Sequence, residues 1–459
     1  MIVMKFGGTS VQDVAAIKRA AEIVHGRLPQ KPVVIVSAMA KVTDQLVEMS
    51  AAAGRGDSHI EAALATASAI RERHYNTAGE LLGTGLFTKF HAQLEEDFDA
   101  LEELLRGIGA VGECTPRSTD NVLSFGERIS SQMVAAAFCA RGIHARHFDA
   151  RDFIVTNNHH TKAVPLFEET NQKLREQLRP AMESGAVPVM GGFIASTAAG
   201  VTTTIGRGGS DFSAAIVGAG LGAEKIEIWT DVDGMMTTDP RLVPAARRIK
   251  EISFDEAAEL AYFGAKVIHP ATLLPAVQQN IPVYVLNSSN PTNEGTKITT
   301  RSPHGSNIFK AIAVKKRITI IDLVATRMLM AHGFLSSIFQ VFDRHRCPVD
   351  MVSTSEVSIS LTVDSNEAIP EIAADLQKLA DVKYSGRKAI VCLVGENLRD
   401  KPGIAGQVFS AIPDVNVRMI SQGASEINIS FVIDEDDVPR AVQTLHQKFF
   451  SELDPKVFE

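Results

Sequence analysis

Short polar clusters directly follow apolar stretches of this 459-residue sequence. The first cluster is KFGGTS, residues 5 to 10, in which Lys5 precedes Gly7 and Gly8 and two hydroxyl side chains follow. Glycines let the backbone turn sharply and bring N–H groups close to a ligand, while an ammonium group balances negative charge. The cluster is typical of a phosphate site, but a plain strand-to-helix turn with an exposed lysine fits these six residues equally well.

A second candidate anion site is TTTIGRGGSDFSAA, residues 202 to 215. Arg207 lies among three glycines, and Ser210 and Asp211 open a predicted helix. A helix N-terminus presents free N–H groups and the positive end of the helix dipole to an anion. The cluster therefore suits a phosphate or a carboxylate, with an ordinary turn as the alternative.

Three further clusters also combine polar groups with glycine. Taken singly, each is equally well explained as a helix start, a surface turn or a solvated lysine. Because the glycine-flanked groups tend to follow predicted strands, where open α/β sheets bind ligands, together they favour one shared site. The clusters are SFGERIS (124 to 130) with Glu127, WTDVDGMMTTDPR (229 to 241) with Asp231 and Arg241, and FGAKVIHP (263 to 270) with Lys266.

The composition narrows the class of protein. A hydrophobic content of 45% and a charged content of 22% are ordinary for a globular chain, and the length favours two or three domains. The net charge of −8 argues against a nucleic-acid partner and favours small molecules. No signal peptide precedes the first cluster, and no apolar run approaches the roughly 20 residues that cross a bilayer. We therefore expect a cytoplasmic protein without a membrane partner, with four reduced cysteines.

Two patterns that suggest other chemistry are better explained by packing. GAGLG, residues 218 to 222, falls at the end of a predicted helix, so it indicates a helix C-cap rather than a dinucleotide loop. His159 and His160 are adjacent, but no third metal ligand is suggested nearby. We therefore expect both histidines in a solvated loop and no protein-held metal.

The elements that must position these clusters alternate between strands and helices. Continuous apolar runs predict strands buried on both faces of a parallel sheet. Spacing of three and four residues predicts a helix over 11–28, and a Ser-Asp N-cap predicts a second helix over 210–223. The stretch from about 53 to 115 has helical composition and few strand signals, so we expect a helical excursion or lid. The predicted strands are 1–6, 32–38, 186–195, 225–230 and 281–287.

The C-terminal part of the sequence predicts a different order of strands and helices. After a polar, turn-rich stretch at 290–307, two similar units follow, both in the β-α-β-β-α-β order of a ferredoxin-like module. The segments PVDMVSTSEVSISLTVD and NVRMISQGASEINISFVID correspond locally, which indicates an internal repeat. The second copy lacks its last predicted strand, so the two copies could share or exchange elements.

The motifs KFGGTS, VSAMAKVTD, SFGERIS, GRGGSD, IWTDVDGMMTTDPR and FGAKVIHPATLLPA resemble, in the same order, those of the aspartate kinases. The resemblance implies an amino-acid-kinase-like α/β/α sandwich with a mostly parallel central sheet, followed by two ferredoxin-like (ACT) α+β units. The implied domains are a catalytic domain (1–295), a linker (296–310), a first ACT domain (311–386) and a second (387–459), whose C-terminal helix could return to the catalytic domain.

The implied reaction transfers the γ-phosphoryl group of ATP, with Mg²⁺, to the side-chain carboxylate of L-aspartate. That carboxylate is ionised at neutral pH, so the reaction calls for cations and N–H dipoles rather than a general base. The implied catalytic residues are Lys5 and Asp211, and the implied aspartate ligands are Thr43, Glu127, Arg207 and Ser210. The implied nucleotide site comprises Gly7, Gly8, Thr230, Asp231, Met236, Arg241 and Lys266. Met236 replaces the family's tyrosine, and Mg²⁺ is expected mainly on the phosphates of ATP.

The resemblance also implies an amino-acid effector, with lysine favoured over threonine because Asp350 and Glu356 could hold a cation. Ala331 replaces a serine of the family pattern. A homodimer through the ACT domains is implied, with a tetramer left open. The alternatives are a related kinase acting on glutamate, acetylglutamate or a nucleotide monophosphate, and a non-catalytic amino-acid sensor. The implied effector residues are Met328, Gly333, Phe334, Leu335, Val349, Asp350, Thr354, Ser355 and Glu356.

Overall fold

The computed structural model describes residues 1–264, 268, 270–303, 305–325 and 333–459. These residues form two compact units. The first comprises Met1–Met235 and the described part of Val267–Ser302, and the second comprises the described parts of Met236–Lys266 and Pro303–Glu459. Two of the predicted site residues, Lys266 and Met328, lie outside the described residues.

The first unit is built from short, mostly buried strands. In chain order these are β1 (Ile2–Phe6), β2 (Pro32–Val36), β3 (Ala145–Phe148), β4 (Val155–Thr156), β5 (Val187–Gly191), β6 (Ile194–Thr197), β7 (Thr202–Thr204), β8 (Lys225–Thr230), β10 (Val283–Asn287) and β11 (Thr296–Thr299). Strand β9 (Glu251–Ser253) belongs to the second unit. The central sheet has the order β3-β5-β2-β1-β8-β10-β11, parallel throughout except for the pair β10 and β11. Strands β4, β6 and β7 form a smaller sheet. The mostly parallel sheet confirms the predicted fold class.

The predicted strands at 1–6, 32–38, 225–230 and 281–287 are confirmed. The prediction of one strand over 186–195 was wrong, because the chain turns at Gly192 and Phe193, where Phe193 has φ +63°, and continues as β6. Strand β11 falls within the stretch predicted as linker, where its pairing with β10 was missed.

Helices flank the sheet and pack apolar side chains against it. In chain order they are α1 (Val14–His25), α2 (Val42–Ala53), α3 (Ile60–Leu81), α4 (Thr84–Val111), α5 (Pro116–Cys139), α6 (Phe167–Lys173), α7 (Arg179–Glu183), α8 (Gly209–Leu221), α9 (Phe254–Tyr262) of the second unit and α10 (Leu274–Gln278). None of the described helices is both long and apolar enough to span a bilayer. The helices predicted over 11–28 and 210–223 are confirmed as the shorter α1 and α8.

The predicted helical excursion consists mainly of α3 and α4. Glycines mark their boundaries: Gly83 precedes α4, and Gly112 ends it in the left-handed region with φ +73°. Alanines and Ile70 on α3 and large apolar side chains on α4, such as Phe98, belong to the same hydrophobic core as the central sheet. The segment is therefore an integral helical layer of the first unit.

The second unit contains the predicted repeat in a single antiparallel sheet. Its strands are β12 (Phe309–Val324), β13 (Val349–Thr354), β14 (Ser358–Asp364), β15 (Asp381–Gly395), β16 (Met419–Gln422) and β17 (Asn428–Asp434). Its further helices are α11 (Phe334–Arg344), α12 (Ile369–Leu376), α13 (Ile404–Ala411) and α14 (Val438–Phe449). The sheet order is β13-β14-β12-β15-β17-β16, so the two long strands β12 and β15 run through both halves.

The strand that the second repeat lacks comes from the start of β12. Residues 311–315 pair with the second half of β15, as in Val314 opposite Val391. Residues 318–324 pair instead with β14 and the first half of β15, as in Ile321 opposite Leu361 and Tyr384. The register shifts between residues 315 and 320 separate the two halves. The repeats therefore share both long strands.

Part of the range predicted as catalytic domain belongs to the second unit. Thr237 Oγ1 lies 2.9 Å from His446 Nε2 of α14, and Lys250 Nζ donates to the carbonyl oxygen of Pro455 over 2.8 Å. Ile249 forms an isolated β-bridge with Phe458. The C-terminal helix and tail thus pack against residues 237–250.

Candidate active site

Lys5 lies near the carboxyl end of β1, and two glycines follow in the turn after this strand. Strand β1 is a central strand of the sheet, between β2 and β8, and only 9% of Lys5 is exposed. The N–H group of Gly7 donates to the carbonyl oxygen of Trp229 over 2.9 Å. A Cβ atom on Gly8 would lie 2.9 Å from the carbonyl oxygen of Ala38, so the close approach of the turns after β1 and β2 requires glycine.

The glycine-rich turn after β7 brings Asp211 to this lysine. Gly206 and Gly208 have φ of +80° and +72°, which lets the chain reverse just before α8 begins. Asp211 lies in the first turn of α8, and its Oδ1 atom is 2.6 Å from Lys5 Nζ. About 11% of each side chain is exposed, so the ion pair is largely shielded from water. The structure thus joins the two predicted catalytic residues.

Glu127 is buried beside this ion pair. It lies on α5 with 3% exposure, and its Oε2 atom has no hydrogen-bond partner among the described residues. Burial raises the pKa of its carboxyl group to about 8, although the backbone N–H of Ala38 and the charge of Lys5 oppose this rise. A buried carboxyl group with an unused oxygen is suited to a cationic ligand such as an ammonium group.

Gly191 and Gly192, which the sequence analysis missed, lie between Glu127 and Ser210. A Cβ atom on Gly191 would lie 3.0 Å from Glu127 Cβ, and one on Gly192 would lie 2.6 Å from Ser210 Cβ. These glycines let α5 and the start of α8 approach the end of β5. Adjacent glycines within an apolar strand pattern are the signal that could have identified this close contact.

The remaining predicted aspartate ligands border the same edge. Arg207 is exposed in the turn before α8, and no other described residue forms an ion pair with it. Thr43 is half-buried in the first turn of α2. The turn preceding Thr43 contacts the turn after β1, because the N–H of Ala40 donates to the carbonyl oxygen of Gly8 over 3.1 Å.

The end of β8 places Thr230 and Asp231 next to the turn after β1. Thr230 Oγ1 donates to Asp231 Oδ1 over 3.2 Å. Ser288, which follows β10, donates its N–H to the carbonyl oxygen of Thr230 over 2.9 Å and receives a hydrogen bond from Ser10 Oγ over 2.8 Å. The ends of three neighbouring strands are therefore linked, and Ser288 is a contributor that the sequence analysis missed.

The other three predicted nucleotide residues lie outside the described part of the first unit. Met236 and Arg241 belong to the second unit, where Met236 forms an isolated bridge with Arg248. The exposed guanidinium of Arg241 forms an ion pair with Asp239 at 2.7 Å. Lys266 lies outside the described residues. Their roles in nucleotide binding remain predictions.

The prediction of two solvated histidines was wrong for His160. Its Nδ1 atom lies 2.7 Å from Asp120 Oδ2, and Asp120 is fully buried and also accepts from Thr204 Oγ1 over 2.5 Å. His159 is exposed. Among the described residues, no three His, Cys, Asp or Glu side chains form a metal-ligand cluster. Gly222 ends α8 with φ +69°, which confirms the helix C-cap predicted for GAGLG.

The predicted effector carboxylate is already engaged. Only 2% of the Asp350 side chain is exposed, and its Oδ1 atom accepts from Lys315 Nζ and from the Tyr262 hydroxyl, both over 2.7 Å. Its Oδ2 atom has no hydrogen-bond partner among the described residues. Asp350 is therefore already paired with the Lys315 ammonium group through Oδ1, and its role as an effector residue stays a prediction that depends on Oδ2.

The other described effector residues lie around the start of α11 and the β13–β14 turn. Gly333 precedes α11 with φ +80°, Phe334 is half-buried and Leu335 is 43% exposed. Val349 begins β13 and is half-buried, whereas Thr354, Ser355 and Glu356 are exposed where β13 turns into β14. Met328 and Ala331 lie outside the described residues.

Comparison with protein families finds two matches in this chain. The Amino acid kinase family matches residues 1–287, and an ACT domain family matches residues 391–449. The first range contains every strand of the first unit except β11, and the second contains the end of β15 together with β16 and β17.

Characterised relatives match nearly the whole chain. Aspartokinase 3, chloroplastic, of Arabidopsis thaliana is 38% identical over 98% of this chain and 81% of its own length. Lysine-sensitive aspartokinase 3 of Escherichia coli is 36% identical over 98% of this chain and 99% of its own length.

Solved structures agree with this similarity. The E. coli aspartokinase III structure in complex with lysine and aspartate, described as the T-state, is 36% identical and has a TM-score of 0.85 over 98% of this chain and 99% of that chain. The same enzyme in complex with aspartate and ADP, described as the R-state, is 35% identical with a TM-score of 0.84 over 98% and 100%.

Proposed function

The chain belongs to the aspartokinases of the amino acid kinase family, and on that premise we propose how its residues phosphorylate the side-chain carboxylate of L-aspartate. The product is 4-phospho-L-aspartate. The observation that carries the proposal is the buried pair of Lys5 and Asp211, 2.6 Å apart, at the sheet edge where Glu127 has an unused oxygen. Such an edge offers a cation for a phosphoryl group and an acceptor for an ammonium group.

The chemical step needs charge stabilisation more than proton transfer. A side-chain carboxylate with a pKa near 3.9 is ionised at neutral pH, so its oxygen attacks the γ-phosphorus directly. The bond between the γ-phosphorus and the bridging oxygen breaks, and ADP leaves with that electron pair. Repulsion between the two anionic reactants is the main obstacle, and preorganised cations and N–H groups reduce it.

Lys5 is the proposed partner of the transferring phosphoryl group. Its ammonium is held by Asp211, so it requires little reorganisation as charge develops on the phosphoryl oxygens. Gly7 and Gly8 leave room for the phosphoryl group because neither carries a side chain. The N–H group of Gly8 would lie alongside it, whereas the N–H group of Gly7 is donated to Trp229. The start of α8 adds the positive end of a helix dipole at the same place.

Glu127 and Arg207 are the proposed determinants of a free α-amino acid. The α-ammonium group of aspartate would fill the unused position on Glu127 Oε2. The exposed guanidinium group of Arg207 would bind the α-carboxylate of aspartate through two parallel hydrogen bonds. Thr43 and Ser210 would add hydrogen bonds to the substrate. Acetylglutamate and nucleotide monophosphates lack the α-ammonium group that this arrangement requires, which argues against these two substrate classes.

ATP would lie toward Thr230 and Asp231, because the turn after β1 is bonded to the end of β8. The aspartokinase III structure that contains ADP supports a nucleotide in this family. Mg²⁺ often takes one or two carboxylates together with substrate phosphates and water. Asp211 supplies one such carboxylate, so the residues present fit a Mg²⁺ ion held mainly by ATP. When bound, the ion would neutralise charge on the β- and γ-phosphates.

Lysine is the proposed effector of the second unit. The corresponding structure of aspartokinase III contains lysine, and Asp350 here retains one unpaired oxygen for an ammonium group. A cationic side chain would compete with or join Lys315 at this carboxylate, which threonine could not do. Preferential binding to one state would shift the protein toward that state.

A homodimer through the first half of the antiparallel sheet is also proposed. Leu335 and Phe339 of α11 and Val352 of β13 are each 40% exposed or more, which leaves apolar area for a second copy of the chain. Association into tetramers and a cytoplasmic location remain predictions from the sequence.

A hydroxamate assay for acyl phosphate, run beside ADP release, tests the function. We expect both signals with aspartate and neither with glutamate, acetylglutamate or a nucleotide monophosphate. ADP release and acyl phosphate with glutamate but not aspartate would instead favour the glutamate-kinase alternative. Lysine binding without any ADP release would favour the non-catalytic sensor.

A further inference from the structure

The helical layer contacts both turns at the active-site edge through Arg73 of α3. The Nη1 atom of Arg73 donates to the carbonyl oxygen of Ala40 over 2.8 Å, and its Nη2 atom donates to that of Gln12 over 2.9 Å. Gln12 follows the short helix Gly8–Val11, and Ala40 lies in the turn that leads to α2. One guanidinium group therefore bridges the turns after β1 and β2.

These two turns are also packed against each other. The N–H of Ala40 donates to the carbonyl oxygen of Gly8 over 3.1 Å, and Gly8 has no room for a Cβ atom beside Ala38. The spacing between the turns thus depends on this direct contact and on the two hydrogen bonds from Arg73. A shift of one turn would move Gly7 and Gly8 relative to Thr43.

The neighbours of Arg73 on α3 contact α4 instead of the turns. Two residues earlier, Arg71 forms ion pairs with Glu95 and Glu102 of α4. The next residue, His74, is fully buried, and its ring centroid lies 6.4 Å from that of Phe98. These contacts pack α3 against α4, whereas the side chain of Arg73 is bonded to the two turns.

Arginine is chemically suited to this position. Its guanidinium is planar and permanently charged, and separate nitrogen atoms can donate to acceptors from two chain segments. A lysine would offer a single ammonium nitrogen instead.

We propose that Arg73 is a positioning residue for phosphoryl transfer, holding the turn with Gly7 and Gly8 in register with the turn leading to Thr43. This inference rests on the proposed function, because these turns serve the phosphoryl donor and aspartate. Arg73 acts through Gln12 and Ala40 and contacts neither reactant. It also gives the helical segment between β2 and β3 a role in catalysis.

The main effect of losing Arg73 should fall on kcat. Relative placement of two bound reactants is realised in the transition state, and a misplacement of about 1 Å can cost roughly 100-fold. We expect Arg73→Ala to lower kcat by about 10- to 100-fold while the KM values for aspartate and ATP change by less than about 3-fold. Arg73→Lys should fall between Arg73→Ala and the unaltered chain.

Chemical rescue separates positioning from loss of stability. Addition of guanidinium ion at tens of millimolar to full-length Arg73→Ala should restore part of kcat, because the free ion can occupy the vacated place. The matched control is Arg71→Ala, which removes an arginine of the same helix that contacts α4 and not the turns. Arg71→Ala should lower the thermal midpoint, keep kcat within about 2-fold and show no rescue.

The inference is overturned if folded Arg73→Ala and Arg73→Lys both retain kcat within about 2-fold, or if Arg71→Ala shows the same kcat loss and the same rescue. Thermal unfolding of each variant establishes that it is folded, and Arg73→Lys provides the measurement if Arg73→Ala does not fold. Failure of the proposed function is a different result, because the unaltered chain would then give no aspartate-dependent acyl phosphate.

Discussion

The Tyr262 hydroxyl donates a hydrogen bond to Asp350 Oδ1 over 2.7 Å and thereby joins the end of α9 to the start of β13. Burial and the nearby carboxylate both raise the pKa of Tyr262, so its hydroxyl remains a proton donor at neutral pH. Lys315 Nζ lies 5.2 Å from the centre of the Tyr262 ring and also donates to Asp350. The orientation of the predicted effector carboxylate therefore depends on two neighbours.

Removing this carboxylate should weaken inhibition by lysine. We expect Asp350→Asn to raise the lysine concentration for half-inhibition at least about 10-fold, because a charged hydrogen bond is typically worth 1.5–3 kcal/mol. Tyr262→Phe should have a smaller effect in the same direction, since Asp350 keeps its charge but loses an orienting donor. Initial rates against lysine concentration provide the measurement.

The control for this prediction is Asp375→Asn, at a carboxylate of the same unit that pairs with His345 and Lys378. Its inhibition curve should coincide with that of the unaltered chain. An Asp350→Asn curve that also coincides would contradict the effector site proposed here.

Loss of the Lys5 ammonium should nearly abolish turnover. Removing one preorganised charge-stabilising donor typically costs about 100- to 1000-fold in kcat, and we expect Lys5→Ala to lose at least this much. Lys5→Ala also leaves Asp211 without its cation, so a lower thermal midpoint should accompany the loss. Lys18→Ala, at an exposed lysine of α1, should match the unaltered chain in both measurements. Turnover of Lys5→Ala within about 5-fold of normal would rule out the assigned role.

The raised pKa of Glu127 predicts a pH dependence of aspartate binding. In the free enzyme this carboxyl group ionises as pH rises through about 8, and the ionised form binds an ammonium group better. We therefore expect kcat/KM for aspartate to rise between about pH 6.5 and 8.5. Glu127→Gln should have a lower and flatter profile. A matched control is Glu227→Gln, at a buried carboxylate that already accepts from Arg27, Lys225 and Trp229.

The same group should affect stability with the opposite pH trend. The folded protein holds the Glu127 proton more tightly than the unfolded chain, whose carboxyl group has a pKa near 4.5. Between about pH 4.5 and 8 the contribution of Glu127 to the free energy of unfolding therefore falls as pH rises. Urea unfolding at pH 5 and 7.5 should show a smaller decline for Glu127→Gln than for the unaltered chain. Equal declines in both proteins would contradict the raised pKa.

Two glycine substitutions should have opposite effects. In Gly192→Ala the new Cβ atom would lie within 2.8 Å of three atoms of Ser210 and displace the start of α8. We expect a lower thermal midpoint and at least a roughly 10-fold loss in kcat/KM for aspartate, because Ser210 and Asp211 move together. Gly107→Ala, in open space within α4, should stabilise the protein by about 0.5–1 kcal/mol and leave kinetics unchanged. Normal kinetics in Gly192→Ala would contradict the proposed importance of this contact.

Sequence-based prediction succeeded where the signal is local. Apolar runs predicted the positions of β1, β2, β8 and β10, and periodic spacing predicted α1. Helical composition with few strand signals predicted the helical excursion. It failed for the continuous strand over 186–195, because the turn at Gly192 and Phe193 depends on packing against α8. It also missed Ser288, whose part in the site arises only when β10 lies beside β8.

Several roles depend on partners far away in the chain. Nothing near Glu127 indicates that its carboxyl group will be buried and hold its proton. Nothing near Asp350 in the sequence indicates that Lys315 will pair with it. Arg73 is one of several charged residues in its predicted helix, and the sequence does not distinguish it from the others. In the second unit, the second repeat lacks its last strand. Residues 311–315 at the start of β12, which precede the first repeat's part of that strand, take its place.

The amino-acid sequence alone determined which segments form strands and helices, where glycines allow turns, and which family the chain resembles. These features follow from side-chain periodicity and backbone freedom, which act over a few neighbouring residues. Only the tertiary structure decided that Lys5 meets Asp211, that Glu127 keeps an unused oxygen, and that Arg73 bridges two turns. Burial and pairing depend on which distant segments are brought into contact, and contact changes the local dielectric and the available hydrogen-bond partners.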